Sequence, residues 1–313
     1  MKVLVTGGAG FIGSHIVDLL IESGHEVIVL DNLSSGKIEN LNKKAEFLEI
    51  DLLSDQIAWN DGRSKYFEDV DTVFHAAAMP RVQPSIEDPL GSNRQNVEAT
   101  LRVLNYSKIN NVRRFVFCSS SSVYGDAEKL PTDELCPTCT MSPYALQKLI
   151  GEQYCKLYSK LYDLETVCLR YFNVYGERMS DDDLAYSTVV SVFNKQKEQG
   201  LPLTVNGTGE QRRDFIYVKD VARMNLIAME HQDLGNGEVV NVGSGKNYSV
   251  NQIAENFNSE IIYKPAVLEP KETLSCVDKA KSFGWNPTVD LMDWLKFTRA
   301  QADVTFRYIP FSV

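Results

Sequence analysis

A tyrosine and a lysine stand four positions apart in the stretch "SPYALQK", as Tyr144 and Lys148. On a helix the two side chains would share one face. An ammonium group beside a phenol favours the phenolate, so the lysine would lower the pKa of the tyrosine from its reference value of about 10. A tyrosine adjusted in this way can act as a general base near neutral pH. The same spacing is common on exposed helix faces, so the pair gains weight only in combination with other residues.

A run of four serines precedes this pair, in the stretch "SSSSVYGD" from Ser119 to Asp126. One of these hydroxyl groups could hydrogen-bond a reacting oxygen. The alternative is that all four solvate the end of a strand or cap a turn. Their place ahead of Tyr144 and Lys148 in the chain favours a part in the chemistry.

A glycine-rich turn near the N-terminus, "VTGGAGFIGSH", indicates a dinucleotide site. Gly7 permits a tight turn after a strand, Gly10 lets backbone approach a pyrophosphate, and Gly13 allows the following helix to pack on the strand. The helix N-terminus then favours the anion. Asp31 ends the second strand, at about the 20-residue distance where an acid meets the adenosine ribose. Because an acid there repels a 2′-phosphate, we expect NAD rather than NADP.

Two further segments extend the predicted cofactor site. Asp51 could meet the adenine edge, and a plain helix cap is nearly as good an interpretation. Three small residues end the fourth strand, where a cofactor could lie close to the backbone or a helix could pack tightly: Ala76, Ala77 and Ala78. The adjoining residues complete the prediction: Phe11, Ile12, Asn32 and Leu52.

The elements that must position these residues alternate along the first half of the chain. Short, nearly continuous apolar runs predict buried strands, and amphipathic stretches between them predict helices. The predicted strands are "KVLVT", "EVIVLD", "EFLEID", "DTVFHAA", "RRFVFCSSS" and "ETVCLRYF". The predicted helices include "IGSHIVDLLIESG", "NRQNVEATLRVLNYSKIN" and "YALQKLIGEQYCKLYSKLY". Such alternation predicts an α/β fold with a doubly wound parallel sheet covered on both faces.

The regular alternation ends after about Arg170. The stretch "ERMSDDDLAYS" is loop-like, "STVVSVFNKQKEQG" predicts a helix, "GEVVNVGSG" a strand, and "SVNQIAENF" a helix capped by a serine. We therefore predict a cofactor domain over residues 1–170. A smaller, mixed α/β lobe over residues 171–313 would bind substrate, with some chain crossing back to the first domain.

The composition limits the possible partners. The 313 residues carry a formal net charge of −10, so the surface repels nucleic acid and an anionic ligand needs a local basic site. No secretion signal or membrane-span pattern is present in the sequence, which predicts a cytoplasmic protein that binds neither nucleic acid nor membrane. Cys136 and Cys139 have the spacing of a metal-binding pair, but no second pair accompanies them, so we expect ordinary thiols and no metal.

The motifs together resemble the extended short-chain dehydrogenase/reductase family, and within it the nucleotide-sugar 4-epimerases and 4,6-dehydratases. The resemblance covers about residues 1–290 and rests on six stretches: "TGGAGFIG", "SSSSVYGD", "SPYALQK", "RYFNVYG", "GEQRRDFIYVKDVA" and "NVGSG". It implies a Rossmann-like fold, NAD as cofactor and a nucleotide-sugar substrate.

The resemblance also assigns roles to individual residues. Ser120, with Tyr144 and Lys148, would be catalytic, and Ser121 or Ser122 would help to bind the sugar. Asn173 would contact the sugar nucleotide, Arg213 would bind the diphosphate, and Asn96 would lie near the cofactor. The remaining predicted substrate residues are Val189 and Thr273.

One stretch discriminates within the family. The 4,6-dehydratases carry Asp-Glu directly after the active-site hydroxyl residue, and Ser121 and Ser122 stand there in this chain. Elimination of water would then lack its acid and base, which favours 4-epimerisation of a UDP-hexose. In the implied reaction Tyr144, helped by Ser120, removes the proton from the sugar 4-hydroxyl, a transient 4-keto sugar turns over, and NAD stays bound. A net nucleotide-sugar dehydratase or reductase, or a non-catalytic binding protein, remains as an alternative.

The chain departs from the family near "YKPAVLEPKETLS". The second diphosphate arginine of related sequences aligns with Val267, and Lys271 is the nearest replacement cation. Thr273 aligns with a position where a bulky residue excludes N-acetyl sugars, so the N-acetylated pair is also a candidate substrate. The resemblance further implies a homodimer formed by the two helices "NRQNVEATLRVLNYSKIN" and "YALQKLIGEQYCKLYSKLY".

Overall fold

The computed structural model describes residues 1–57, 64–80, 82–179, 188–267 and 269–307. The strands are β1 (Lys2–Thr6), β2 (Glu26–Asp31), β3 (Glu46–Glu49), β4 (Thr72–His75), β5 (Arg114–Ser120), β6 (Glu165–Tyr171), β7 (Asn173–Tyr175), β8 (Leu203–Asn206), β9 (Arg212–Tyr217), β10 (Asn236–Val242), β11 (Asn247–Ser249) and β12 (Ile261–Lys264). The helices are α1 (Phe11–Glu22), α2 (Val82–Glu87), α3 (Pro89–Asn93), α4 (Ala99–Ile109), α5 (Pro143–Tyr162), α6 (Val189–Glu198), α7 (Val218–Glu230), α8 (Val250–Glu255), α9 (Asp278–Ser282) and α10 (Leu291–Arg307).

Seven strands form one parallel sheet in the order β10-β6-β5-β4-β1-β2-β3. Consecutive residues of β1 explain why its sequence is apolar throughout. Val3 and Val5 pack into the core under α1 and α7, while Leu4 packs into the core under α4 and α5. Both faces of the sheet are thus covered, and the predicted doubly wound fold is confirmed.

The boundaries differ from the predicted ones at two places that adjoin the site. Strand β3 ends at Glu49 because Asp51 turns the chain, its carboxylate accepting a hydrogen bond from the Leu53 amide at 2.8 Å. The predicted helix at residues 93–110 is divided. A π-helical turn, Arg94–Glu98, joins α3 to α4, and such turns are frequent at functional sites.

The second half forms two small sheets, β11-β9-β7 and β12-β8. The predicted serine cap of α8 is present, since Ser249 and Gln252 form a reciprocal capping box. Strand β10 returns to the large sheet beside β6, which is a crossing between the two halves. The division at residue 170 stays a prediction. Part of the stretch predicted as loop-like, residues 180–187, lies outside the described residues.

No helix in the described part of the chain combines the length and the apolar character that a membrane crossing requires. All six cysteines are free thiols. Within the described ranges, no three His, Cys, Asp or Glu side chains gather in a way that could hold a metal ion.

Candidate active site

Helix α5 begins next to the predicted catalytic tyrosine. The Ser142 hydroxyl caps the helix by accepting from the Ala145 amide at 3.2 Å, and Pro143 occupies the first turn. The Tyr144 amide, in the first turn of the helix, donates to the Ser85 hydroxyl of α2 at 3.0 Å. The helix start is therefore held by both its own cap and a neighbouring helix.

Lys148 lies one turn further along α5 and is buried. Its Nζ donates to the Cys118 carbonyl of β5 at 2.7 Å and lies 5.9 Å from the centre of the Tyr144 ring. Burial lowers the pKa of Lys148 to about 8, against the opposing effect of nearby acidic groups including Glu152. The ammonium group is thus fixed beside the tyrosine, as the spacing predicted.

Ser120 is the last residue of β5. Its hydroxyl accepts a hydrogen bond from the Ser122 amide at 3.2 Å and so caps the short turn that follows. Ser121 is half-buried. The Ser122 Oγ atom is buried and lacks a hydrogen-bond partner among the described residues. The contact of Lys148 with Cys118, two residues before Ser120, brings all three predicted catalytic residues to one α5–β5 seam.

The glycine turn after β1 has no room for side chains. A Cβ on Gly7, whose φ is +71°, would lie 2.6 Å from the Ala77 amide nitrogen, and one on Gly13 would lie 2.1 Å from the Gly7 carbonyl oxygen. Gly10 precedes α1 and offers no side chain to cap it, so the first amides of the helix, at Phe11, Ile12 and Gly13, are available to an anion. The structure brings Gly7 against the backbone of Ala76 and Ala77, and the predicted contact of Ala76–Ala78 with a cofactor stays a prediction.

Asp31 is held at the end of β2 by backbone amides. One carboxylate oxygen accepts from Ala9 at 2.9 Å and the other from Leu33 at 2.8 Å. Asn32 beside it accepts from the Ser34 amide. Asp51 lines a surface depression of about 310 Å³ together with Leu53, Ser54, Gly91, Arg94 and Gln95, and Leu52 is buried next to it.

Asn96 lies inside the protein, in the π-helical turn. It accepts from the Met79 amide, donates to the Met79 carbonyl, and donates to the Gln147 side chain at 2.7 Å. Its side-chain groups are thus used to join the segment after β4 to α5. The predicted contact of Asn96 with cofactor stays a prediction, and the structure gives this residue a positioning contact with the neighbour of Lys148.

A buried histidine extends this network to the glycine turn. Thr100 donates its hydroxyl proton to the Asn96 carbonyl at 2.6 Å, so it accepts from His75 Nε2 at 2.9 Å, and His75 Nδ1 accepts from the Thr6 hydroxyl at 2.7 Å. This sequence of donors is the one that a neutral imidazole with its proton on Nε2 would form. Complete burial agrees with it, because it lowers the pKa of His75 to about 3.

Three of the predicted substrate residues, Asn173, Arg213 and Thr273, lie at or beside β9. Asn173 donates to the Asp214 carbonyl at 2.7 Å, and the Thr273 hydroxyl accepts from the Asp214 amide at 3.2 Å. Arg213 pairs with Glu269 at 2.5 Å, its side chain only 12% exposed. We call Asn173, Arg213, Asp214 and Thr273 the β9 cluster. Val189, the first residue of α6, packs against the large core.

The buried carboxylate of Asp214 explains the shape of this cluster. It accepts hydrogen bonds from the backbone and side chains of Ser244 and Ser275 and from the Gly245 amide. Burial nevertheless raises the pKa of Asp214, because desolvation outweighs these bonds. The segment that carries Lys271 and Thr273 is tied to the turn after β5, because the Lys271 amide donates to the Asp126 carboxylate at 3.1 Å.

The glycine turn, the free first amides of α1 and the carboxylate of Asp31 fit an adenine dinucleotide by shape and charge. A model of the NAD dependent epimerase/dehydratase family matches residues 3–243, which is most of the chain. The chain belongs to this family.

Individual relatives agree with the family assignment. A UDP-glucose 4-epimerase from Mycolicibacterium smegmatis is 36% identical over 81% of this chain and 80% of its own length. The crystal structure of a UDP-glucose 4-epimerase from Thermotoga maritima with UDP-glucose is 37% identical, covers 98% of this chain and all of its own, and has a TM-score of 0.88. A UDP-N-acetylglucosamine 4-epimerase from Methanobrevibacter ruminantium, in complex with UDP-N-acetylmuramic acid, is 35% identical over 96% of this chain and 98% of its own, with a TM-score of 0.86.

Three residues at the site were not found from the sequence. Glu152 lies two turns after Tyr144 on the same face of α5, a spacing that could have identified it. Gln147 is buried, where it accepts from Asn96 and donates to the Ser92 hydroxyl at 2.9 Å. Glu269, the partner of Arg213, lies in the segment that departs from the family pattern and carried no sequence signal.

Proposed function

We propose that this protein is a 4-epimerase of a UDP-hexose that retains NAD. The observation that carries the proposal is the α5–β5 seam, where Lys148 is fixed between the Cys118 carbonyl and the Tyr144 ring, with Ser120 at the end of the same strand. Membership of the family and the activities for which its relatives are named support this reaction. UDP-glucose and UDP-galactose are the first candidate pair.

The proposed roles follow from the chemistry of each group. Tyr144 removes the proton from the sugar 4-hydroxyl and returns it to the 4-keto sugar, and Ser120 hydrogen-bonds the same oxygen. Lys148 supplies a fixed positive charge that favours the phenolate. NAD, when bound, would supply a reversible hydride acceptor for the oxidation and re-reduction at sugar carbon 4. Net redox change is zero, so the cofactor need not leave.

The cofactor would lie along the carboxyl ends of β1, β2 and β4. The pyrophosphate would meet the first amides of α1, and Asp31 would bind the adenosine ribose. Asp51 lines a depression at the adenine end, and the small residues Ala76–Ala78 leave room for the cofactor beside Gly7. These contacts are proposals, supported by the tight glycine turn.

The β9 cluster would hold the sugar nucleotide. Arg213 would give the diphosphate a planar pair of N–H donors, Asn173 would contact the sugar nucleotide, and Thr273, with Val189 at the start of α6, would border the sugar. Thr273 is small enough to admit an N-acetyl group, so the N-acetylated pair is the second substrate candidate. The Methanobrevibacter relative supports testing that pair.

We also propose a homodimer. Helix α5 exposes a set of large apolar side chains, each 43–56% exposed: Leu146, Leu157, Leu161 and Tyr162. Such a stripe on a soluble protein marks a contact surface, and the family resemblance makes a second copy its occupant. Light scattering at micromolar concentration should give twice the monomer mass, and L157K/L161K should give a monomer. The cytoplasmic location stays a prediction, which subcellular fractionation tests.

Product analysis tests the proposed reaction. Purified protein, with no cofactor added, is incubated with UDP-glucose, UDP-galactose or either N-acetyl counterpart, and the products are separated by chromatography. Conversion to one common mixture from both members of a pair establishes a 4-epimerase with retained NAD. A stable keto product, or a stoichiometric change in nicotinamide absorbance, would instead identify a dehydratase or a reductase. Binding without any conversion would leave only a binding function.

A further inference from the structure

A buried ion pair lies directly behind the α5–β5 seam. Arg170 of β6 donates to both carboxylate oxygens of Glu152 on α5, from Nε at 2.9 Å and from a terminal nitrogen at 2.6 Å. The two side chains are 5% and 2% exposed. The guanidinium also lies 4.6 Å from the centre of the Tyr124 ring. Both charges are thus enclosed by protein, in the interval between the catalytic helix and the sheet.

Glu152 is also bonded to the strand that carries Ser120. The Ser119 hydroxyl donates to Glu152 at 2.5 Å, and Ser119 is the register partner of Arg170 across β5 and β6. One carboxylate therefore joins α5 to two neighbouring strands at the residue before Ser120.

Two consecutive contacts tie α5 to the end of β5. Lys148 bonds the Cys118 carbonyl, and Glu152, one helical turn later, bonds the Ser119 side chain. Two contacts at adjacent strand residues fix both the height and the rotation of the helix against the strand. A slip of either element would move Tyr144 and Lys148 relative to Ser120.

Stability alone does not account for this arrangement. A buried ion pair gives back in Coulomb energy much of what desolvation costs, and well-packed apolar residues of similar volume are often as stable. At the opposite end of the same two strands a second pair, Arg114 and Glu165 at 2.7 Å, joins β5 to β6 with a carboxylate that is 41% exposed. Full enclosure of both charges is particular to the end that carries Ser120.

The titratable groups around Lys148 belong to several elements. Glu152 and the Cys155 thiol lie on its own helix with Tyr144, Cys118 lies on β5, and the neutral His75 lies on β4. Glu152 is the carboxylate among them, and its charge is balanced by Arg170.

We propose that Glu152 and Arg170 are positioning residues for the reaction: they hold the end of β5 in register with α5, and Glu152 keeps a negative charge beside the Lys148 ammonium. The inference rests on the proposed function, and it assigns neither residue a contact with substrate.

The main test is E152Q, with E165Q as its matched control at the far end of the strands. Glutamine preserves the shape and can accept one hydrogen bond, but it removes the charge. We expect kcat to fall about 10- to 100-fold, the cost of a small misplacement of reacting groups, with KM little changed. The basic limb of the pH–rate profile should move to lower pH, because Lys148 loses an opposing charge. E165Q should lower stability and leave kcat and the profile unchanged.

Two further variants keep the test decisive if E152Q fails to fold. S119A removes the bond to β5 and leaves the ion pair intact, and we expect kcat to fall about 3- to 10-fold with no shift in the pH profile. E152Q/R170Q removes both charges together. If either folded variant has the kcat and pH profile of the wild type, the proposal is wrong and the pair serves folding alone.

Deuterium exchange separates this proposal from the proposed function. In E152Q, amides at residues 118–124 and 143–155 should exchange faster at constant pH, while those at residues 26–31 stay unchanged. If the wild type proves inactive on every UDP-sugar, the epimerase assignment fails, and the exchange pattern still decides whether Glu152 holds the two elements together. If E152Q changed the exchange rates at residues 26–31 as much as those at residues 118–124 and 143–155, the positioning role would be overturned.

Discussion

The α5–β5 seam and the β9 cluster are built in different ways. At the seam, Lys148, Glu152 and Arg170 are each at most 5% exposed, and each is bonded to a strand or to an opposite charge. Around the β9 cluster, Arg213 pairs with a carboxylate that is 35% exposed, Lys271 faces solvent, and Val267 is 55% exposed.

The difference corresponds to the requirements of the two proposed roles, proton transfer at the seam and diphosphate binding at the β9 cluster. Proton transfer needs a fixed geometry and a dry environment, in which charges interact strongly. Recognition of a diphosphate needs charge that is reachable from solvent, and it tolerates rearrangement on binding. The departures from the family pattern that we found fall near the β9 cluster, and the predicted catalytic residues at the seam match the pattern.

The largest expected effect is the loss of the phenol at the seam. Y144F should reduce turnover by about 10²- to 10⁴-fold, because general acid–base catalysis contributes that much, while bound NAD stays unchanged. Chromatography of the products and absorbance of the cofactor released on unfolding measure the two quantities. Y154F, on the same helix, should behave as the wild type. Substantial residual activity in Y144F would remove Tyr144 from the proposed role.

The buried histidine near the seam should make folding sensitive to acid. Its folded pKa, about 3, is below the unfolded value of 6.5, so the unfolded chain takes up the proton first. The contribution of the neutral His75 side chain to the free energy of unfolding is therefore fully present above pH 6.5, and it is lost as the pH falls toward 3. Between pH 6.5 and 4.5 the loss should be about 2–3 kcal/mol.

Urea unfolding of H75Q across the same pH range checks this expectation. The variant should be less stable than the wild type at pH 7 and should lose less stability on acidification. His231, whose side chain is 30% exposed beside Asp233, provides the control. H231Q should keep the wild-type slope of stability against pH. An H75Q slope equal to that of the wild type would contradict the assignment of a neutral, buried imidazole.

Two neighbouring arginines test whether the β9 cluster binds the diphosphate. Arg213 faces Glu269, whereas Arg212 bonds Asn247 on the other face of the strand. R213A should raise KM for the UDP-sugar about 10- to 100-fold, because charge-assisted hydrogen bonds to a diphosphate are lost. R212A should lower stability and leave KM within a factor of about two. Equal KM values for the two variants would place the diphosphate elsewhere.

The smallest expected effect is a gain in affinity for the UDP-sugar. V267R adds a guanidinium where the family pattern has one, and KM should fall about 3- to 10-fold at low salt. The gain should shrink as salt rises, because exposed charges are screened. V267Q, similar in length and uncharged, is the control. A salt-independent change, or the same change in V267Q, would mean that charge at this position does not reach the diphosphate.

The order and type of the elements in the first half could be predicted because each one follows from local pattern. Apolar runs became β1, β2 and β4–β6, and the serine at residue 249 does cap α8. The glycine turn was equally readable, since a side chain at Gly7 or Gly13 would collide with backbone. The π-helical turn at residues 94–98 was not predictable, because its sequence is compatible with an unbroken helix.

What the sequence by itself determined is the set of candidate reactive residues, the glycine turn and the parallel sheet, because these depend on side-chain type and short-range spacing. Only the tertiary structure decided which partners those residues have. The pairing of Glu152 with Arg170, the chain of bonds from Thr6 through His75 to Asn96, and the contact of Arg213 with Glu269 all join residues that lie far apart in the chain. Their energies depend on burial and on the packing of separate elements, which no local pattern encodes.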